Sequence, residues 1–108
     1  LIFRVTPKKS EPNYDTLIFS SKNKKLRDEI ISLLNKDGFG TKNLPDSLEW
    51  HCAYYWDHAL KTKQIERLKR TNNILKESIA IPIWLKKTTE EYKKIGIKIK
   101  LVCKKYHK

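Results

Sequence analysis

"YDTLIFSSKNKKLRDEIISLLNKDGFG", residues 14–40, decides the fold. Tyr14 to Ser20 mixes aromatic and β-branched residues and reads as a strand. "SKNKK" follows, with Ser21 or Asn23 placed to cap a helix. Leu26, Ile30, Leu33 and Leu34 then share one face, opposite the lysines, Arg27 and Asp28, which predicts an amphipathic helix over 24–37. Gly38 sits just beyond the last periodic residue, where a left-handed C-cap belongs.

Toward the N-terminus, "IFRVT" (2–6) is β-prone and reads as a short or edge strand, and "PKKSEPN" (7–13) as a loop. Toward the C-terminus, residues 38–49 show no period and read as an extended loop. "WHCAYYWDHALK" (50–61) is too crowded with apolar residues to show a buried face, so helix and aromatic-rich turn both stay open. Ile65, Leu68, Ile74 and Leu75 support a helix from Thr62 to Glu77, with a break expected near "TNN" (71–73). "SIAIPIW" (78–84) is a short apolar strand ended by Pro82, which suits a sheet edge.

The last helix, expected over 89–105, opens on the capping-box spacing of Thr88 and Glu91. Tyr92, Ile95, Ile99, Val102 and Tyr106 follow at intervals of three and four, with Ile97 and Leu101 widening the stripe. Gly96 costs about 1 kcal/mol relative to alanine inside a helix, which points to a close contact with another element. The sum is an α+β fold, a small antiparallel sheet packed against helices.

At 108 residues the chain fits a single domain with one core. Charged residues make up 33% and the net charge is +12. Such a balance assists association with polyanions but defines no site. The lysines are scattered along every element, and arginine, the better residue for bidentate phosphate or guanine contacts, occurs only at Arg4, Arg27, Arg67 and Arg70. Nucleic acid is therefore not the expected partner, though a small basic nucleic-acid-binding module or a non-catalytic interaction domain remains the alternative function. Cys52 and Cys103 are too few for a disulfide scaffold and suit a reducing, cytoplasmic setting. No apolar run approaches the ~18 residues of a membrane span, and "LIFRV" is too short for a signal peptide.

The stretch "DGFGTKNLPDSLEWHCAYYWDH", residues 37–58, gathers the chain's most concentrated chemistry. His51, Cys52, Asp57 and His58 lack the paired spacing of zinc ligands, and Cys103 and His107, which could share a helix face, sit next to a fraying terminus, so no metal is expected. Adjacent His51 and Cys52 diverge on either a helix or a strand, which argues against a thiol nucleophile. No nucleotide-binding glycine loop or nucleophile elbow is present. Trp50, Tyr54, Tyr55 and Trp56 lie in one tight run, more like a wall folded over something large than a set of stacking platforms. A ligand, a neighbouring domain and the second subunit of a dimer all fit that description.

This stretch resembles the small-domain segment of the DegT/DnrJ/EryC1/StrS sugar aminotransferases, pyridoxal-phosphate (PLP) enzymes of fold type I. The family's glycine-hydrophobic-x-threonine turn is represented by Gly38, Phe39, Gly40 and Thr41. Its loop proline, leucine and histidine match Pro45, Leu48 and His51. "AIPIW" (80–84) resembles the family's short "LP" strand, and "KTTEEYKKIGIKIK" (87–100) its glutamate-opened last helix. The likeness runs from about Tyr14 to Tyr106. Asn43 and Leu44 stand where many members carry histidine and tyrosine, which leaves the particular sugar open.

The resemblance implies that residues 1–108 are the C-terminal domain of a longer, cytoplasmic, homodimeric enzyme of polysaccharide biosynthesis. Its substrates would be a keto sugar, free or nucleotide-linked, and an amino-acid donor. The missing N-terminal large domain would hold the PLP and its Schiff-base lysine, so this fragment would carry no cofactor, no catalytic residue and no activity alone. Lys42, Asn43 and His51 would line the substrate site. Trp50, Tyr54, Tyr55 and Trp56 would pack against the large domain or the partner subunit.

Overall fold

A computed structural model describes residues 1–43 and 47–106, apart from the side chain of Ser47. The elements run β1 (Ile2–Phe3), β2 (Thr16–Ser20), α1 (Lys24–Lys36), α2 (Ser47–His51), a 3-10 turn (Ala53–Tyr55), α3 (Thr62–Arg67), α4 (Lys69–Glu77), β3 (Ser78–Pro82) and α5 (Thr89–Lys104). The three strands form one antiparallel sheet in the order β1-β2-β3, with Phe3 opposite Phe19 and Phe19 opposite Ile79. The class is α+β, as expected.

The local signals of residues 14–40 are all used. Asn23, not Ser21, caps α1, its Oδ1 accepting from Leu26 N–H at 3.1 Å. Leu26, Ile30 and Leu34, each four residues on from the last, are the buried residues of α1. Gly38 takes a positive φ of 71°. Its N–H bonds the Asn35 carbonyl and that of Phe39 bonds the Leu34 carbonyl, the paired bonds of a Schellman ending. That turn drops Phe39 into the core, where it is 4% exposed and meets the Tyr92 ring edge-on at 5.2 Å.

At the head of α5, Thr88 and Glu91 form the reciprocal capping box. Ile95 and Val102 are buried, with Tyr92, Ile99, Cys103 and Tyr106 packed around them. α5 and α1 thus close one core over Phe19, Ile79 and Ile81 of the sheet.

Five expectations need correction. Ile97 and Leu101 do not widen the α5 stripe: they are 60% and 56% exposed, because Ile97 lies nearly opposite the Ile95–Val102 line and Leu101 about a third of a turn off it. Gly96 marks no close contact, since a Cβ there would meet nothing within 4 Å. Leu33 is only partly buried, at the margin of the core, and Leu34 is the fully enclosed residue. The helix of 62–77 breaks at Leu68 (φ −89°, ψ −2°), not at "TNN", which continues within α4. The loop read over 38–49 already contains the start of α2, whose five residues are too short to display a period.

No helix among the described residues is long and apolar enough to cross a membrane.

Candidate functional site

The segment that follows α1 is laid along the outer edge of β3. Lys42 N–H donates to the Ala80 carbonyl at 2.8 Å. The Asn43 side chain then does the work of a paired strand: its Oδ1 accepts from Ala80 N–H at 2.7 Å and its Nδ2 donates to the Ser78 carbonyl at 3.1 Å. Arg27 Nε of α1 donates to the same Ser78 carbonyl at 3.1 Å, fixing helix, loop and strand together. The Lys42 ammonium reaches back to Asp15, just before β2, at 2.9 Å. That hydrogen bond, more than the accompanying charge attraction, holds the Asp15 carboxyl below its ordinary range.

Beside this junction lies a groove of about 1040 Å³, lined among others by Arg27, Ile31, Asn35, Lys42, Asn43 and Lys76. Ile18 and Ala80 reach it from the face of the sheet opposite Leu17, Phe19 and Ile81, since side chains alternate along a strand. Lys22 and Lys24 add positive charge, against the carboxylates of Asp28 and Glu77. Arg27 is already committed to Asp28 at 3.0 Å.

The aromatic run sits on the helical part that borders the groove. Trp50 is 74% exposed, and its carbonyl accepts from Trp56 Nε1 at 3.1 Å, which ties α2 to the far end of the 3-10 turn. Tyr54 and Tyr55 are half-buried and meet edge to face, 5.3 Å between centroids. Lys76 of α4 stands 5.6 Å over the Tyr55 ring, and its ammonium is held above the usual lysine range, chiefly by the Tyr55 hydroxyl.

The structure therefore brings Lys42 and Asn43 together at the β3 edge, whereas His51 lies exposed at the end of α2 and does not line this groove. Cys52, its neighbour, is buried, so the two side chains diverge. Leu44, Pro45 and His107 lie outside the described residues. Among the described residues no three His, Cys, Asp or Glu side chains converge as metal ligands. Asp15 and Arg27 were missed as parts of the junction. Their partners lie tens of residues away, and no local spacing encodes them.

Four of the lysines, Lys42, Lys76, Lys87 and Lys105, do not fit a Schiff base with PLP. A Schiff-base lysine needs an amine shifted toward neutrality in a pocket with an acid for the ring nitrogen. Lys76 and Lys105 are shifted upward instead, and Lys42 and Lys87 are closed on Asp15 and Glu91.

No family model matches the chain, and no curated protein or solved structure matches it either.

Proposed function

We propose that this chain is the C-terminal small domain of a PLP-dependent aminotransferase of the DegT/DnrJ/EryC1/StrS type. It would act on a keto sugar, free or nucleotide-linked, in cytoplasmic polysaccharide biosynthesis. The observation that carries this reading is the stretch 37–58. The residues that resemble the family's substrate loop run from a fitted helix ending at Gly38 to a braced aromatic wall at Trp56, beside a groove rich in lysine. In the intact enzyme Lys42 and His51 would meet the substrate's anionic and hydroxyl groups. Asn43 would hold the loop, because both ends of its amide are spent on β3. Trp50 would pack against the large domain or the second subunit. On this reading the PLP and its Schiff-base lysine would belong to a large domain outside residues 1–108.

The test is expression of the complete reading frame that contains residues 1–108. Its PLP would be trapped with borohydride and the modified lysine mapped. The expected adduct lies on one lysine outside 1–108, with His51→Ala lowering kcat/KM and leaving Tm unchanged. An adduct on a lysine of 1–108, or no uptake of PLP, overturns the reading.

The alternative, a basic nucleic-acid-binding module, draws on the net charge of +12 and on exposed Trp50. Against it, Tyr54 and Tyr55 meet edge to face instead of presenting parallel faces. Titration with single-stranded RNA at physiological salt separates the two. A stacking module quenches Trp50 emission on micromolar binding, whereas the domain of an aminotransferase leaves it unchanged.

A further inference from the structure

The outer face of α5 carries a second pattern. Its inner stripe, Ile95 and Val102, is buried in the core, while Ile97 and Leu101 are turned away from it and are 60% and 56% exposed. One helical turn separates the two, so they are neighbours on the helix surface. Lys93 and Lys94 precede Ile97 by about a turn and Lys104 follows Leu101 by about another, all three of them exposed. To one side, Ile97 opens onto a hollow of about 510 Å³ between the end of α1 and α5, floored by the buried Phe39 and Ile95. Lys36, Lys87, Lys94 and Lys98 line that hollow with the carboxylates of Asp37 and Glu91. Lys98 takes up Asp37, Lys87 takes up Glu91, and Lys93 takes up Glu90, the other carboxylate of α5. Lys36, Lys94 and Lys104 are left with no carboxylate partner among the described residues.

We propose that this face of α5, with the end of α1, docks on an anionic lipid surface. A single exposed aliphatic residue is ordinary. A pair on one helix face, with lysines before, beside and beyond it, is the pattern of a helix lying in a lipid–water interface. Ile97 and Leu101 would enter the boundary between headgroups and acyl chains, and the lysine stems would run beside them and bring their ammonium groups to the headgroup phosphates. The contact from Lys93 to Lys104 spans roughly 16 Å of helix, and a helix lying flat needs no run of membrane-spanning length. Other polyanions fit this face less well. It has no arginine for bidentate phosphate contacts and no aromatic ring on which a base could stack. An acidic helix of a partner protein would meet only two apolar residues, fewer than the repeated stripe that helix pairing uses. A second copy of the chain would bring another +12 against the first. None of these residues lines the Lys42–Asn43 groove, so the inference is independent of the aminotransferase reading.

The probe is a vesicle of phosphatidylglycerol and phosphatidylcholine in equal parts, with pure phosphatidylcholine as the neutral surface. Flotation of the chain with each at physiological salt measures partitioning. Binding to the anionic vesicles is expected to exceed that to the neutral ones at least about tenfold, and to fall as salt is added. Ile97→Gln with Leu101→Gln changes no charge and keeps good helix formers at two exposed positions. It should lower partitioning at least about fivefold and leave Tm unchanged. Lys94→Gln with Lys104→Gln should lower it about tenfold or more. Lys63→Gln with Lys69→Gln removes the same charge from exposed positions in the helical part and should lower it less than about threefold. The proposal is overturned by any of four results: no flotation with anionic vesicles, full binding by the Ile97–Leu101 variant, equal losses from the two lysine pairs, or displacement of the chain from the vesicles by single-stranded RNA.

Discussion

Asn43 does with one side chain what a fourth strand would do with its backbone, accepting from Ala80 and donating to Ser78. Asn43→Ala leaves the Ala80 N–H unpaired at a half-buried edge and the Ser78 carbonyl with Arg27 as its remaining partner, and the expected loss of stability is about 1–3 kcal/mol. Asn43→Asp keeps the acceptor for Ala80 N–H but loses the donor to Ser78, so its loss should fall between wild type and alanine. Lys42→Ala removes an exposed ion pair with Asp15 and an exposed hydrogen bond to the Thr16 hydroxyl, and should change stability by less than about 1 kcal/mol. Urea midpoints for the three variants check this, and an unchanged midpoint for Asn43→Ala would contradict the edge-sealing role. The sequence marks Lys42 and Asn43 as polar residues on a loop. It does not show that Asn43 faces β3, because those partners lie 35 and 37 residues away and pairing across a fold leaves no spacing to read.

At the scale of elements, α1 and α5 were legible because a stripe and a cap agree in each. A stripe fixes which face is buried, and a cap fixes where the helix begins. The short helices were not, since α2 has five residues and α3 six, less than two turns to carry a period. The α5 cap makes a pH prediction. Bonds from Thr88 N–H, Lys87 and the Thr88 hydroxyl pull the Glu91 carboxyl down to about 2. A carboxyl held below its unfolded value stabilises the fold above about pH 4.5 and loses that contribution as pH falls toward about 2. Asp15, bonded to Lys42, and Glu29, bonded to Lys105 and Tyr106, are shifted the same way and add to the slope. Glu91→Gln preserves an acceptor for Thr88 N–H but no longer titrates. Its unfolding midpoint should therefore fall less steeply than that of the wild type between about pH 4.5 and 2. Parallel slopes for the two proteins would show that Glu91 is not linked to folding.

The whole molecule is less uniform than its length implies. Its radius of gyration is 15.8 Å, against about 13 Å for a compact chain of this size. The difference has a structural origin. The core cluster is drawn from β2, β3, α1, α5 and Phe39. In the helical part from Ser47 to Glu77 the buried residues among those described are Cys52 and Asn72, neither of them in that cluster. The amide Oδ1 of Asn72 is buried there with no hydrogen-bond partner among the described residues, which weakens that part further. Residues 47–77 should therefore open locally, at lower free energy than β2, α1 and α5. Native-state hydrogen exchange is the measurement, with amides of Ile30, Leu34, Phe19 and Ile95 expected to exchange only through global unfolding. Asn72→Leu replaces the orphaned amide with an apolar side chain of similar volume. It should raise the opening free energy of 47–77 by about 1–3 kcal/mol and leave the slowest amides set by whatever that adds to global stability. If every amide from Thr16 to Val102 exchanged through one event, the helical part would be an integral member of the core.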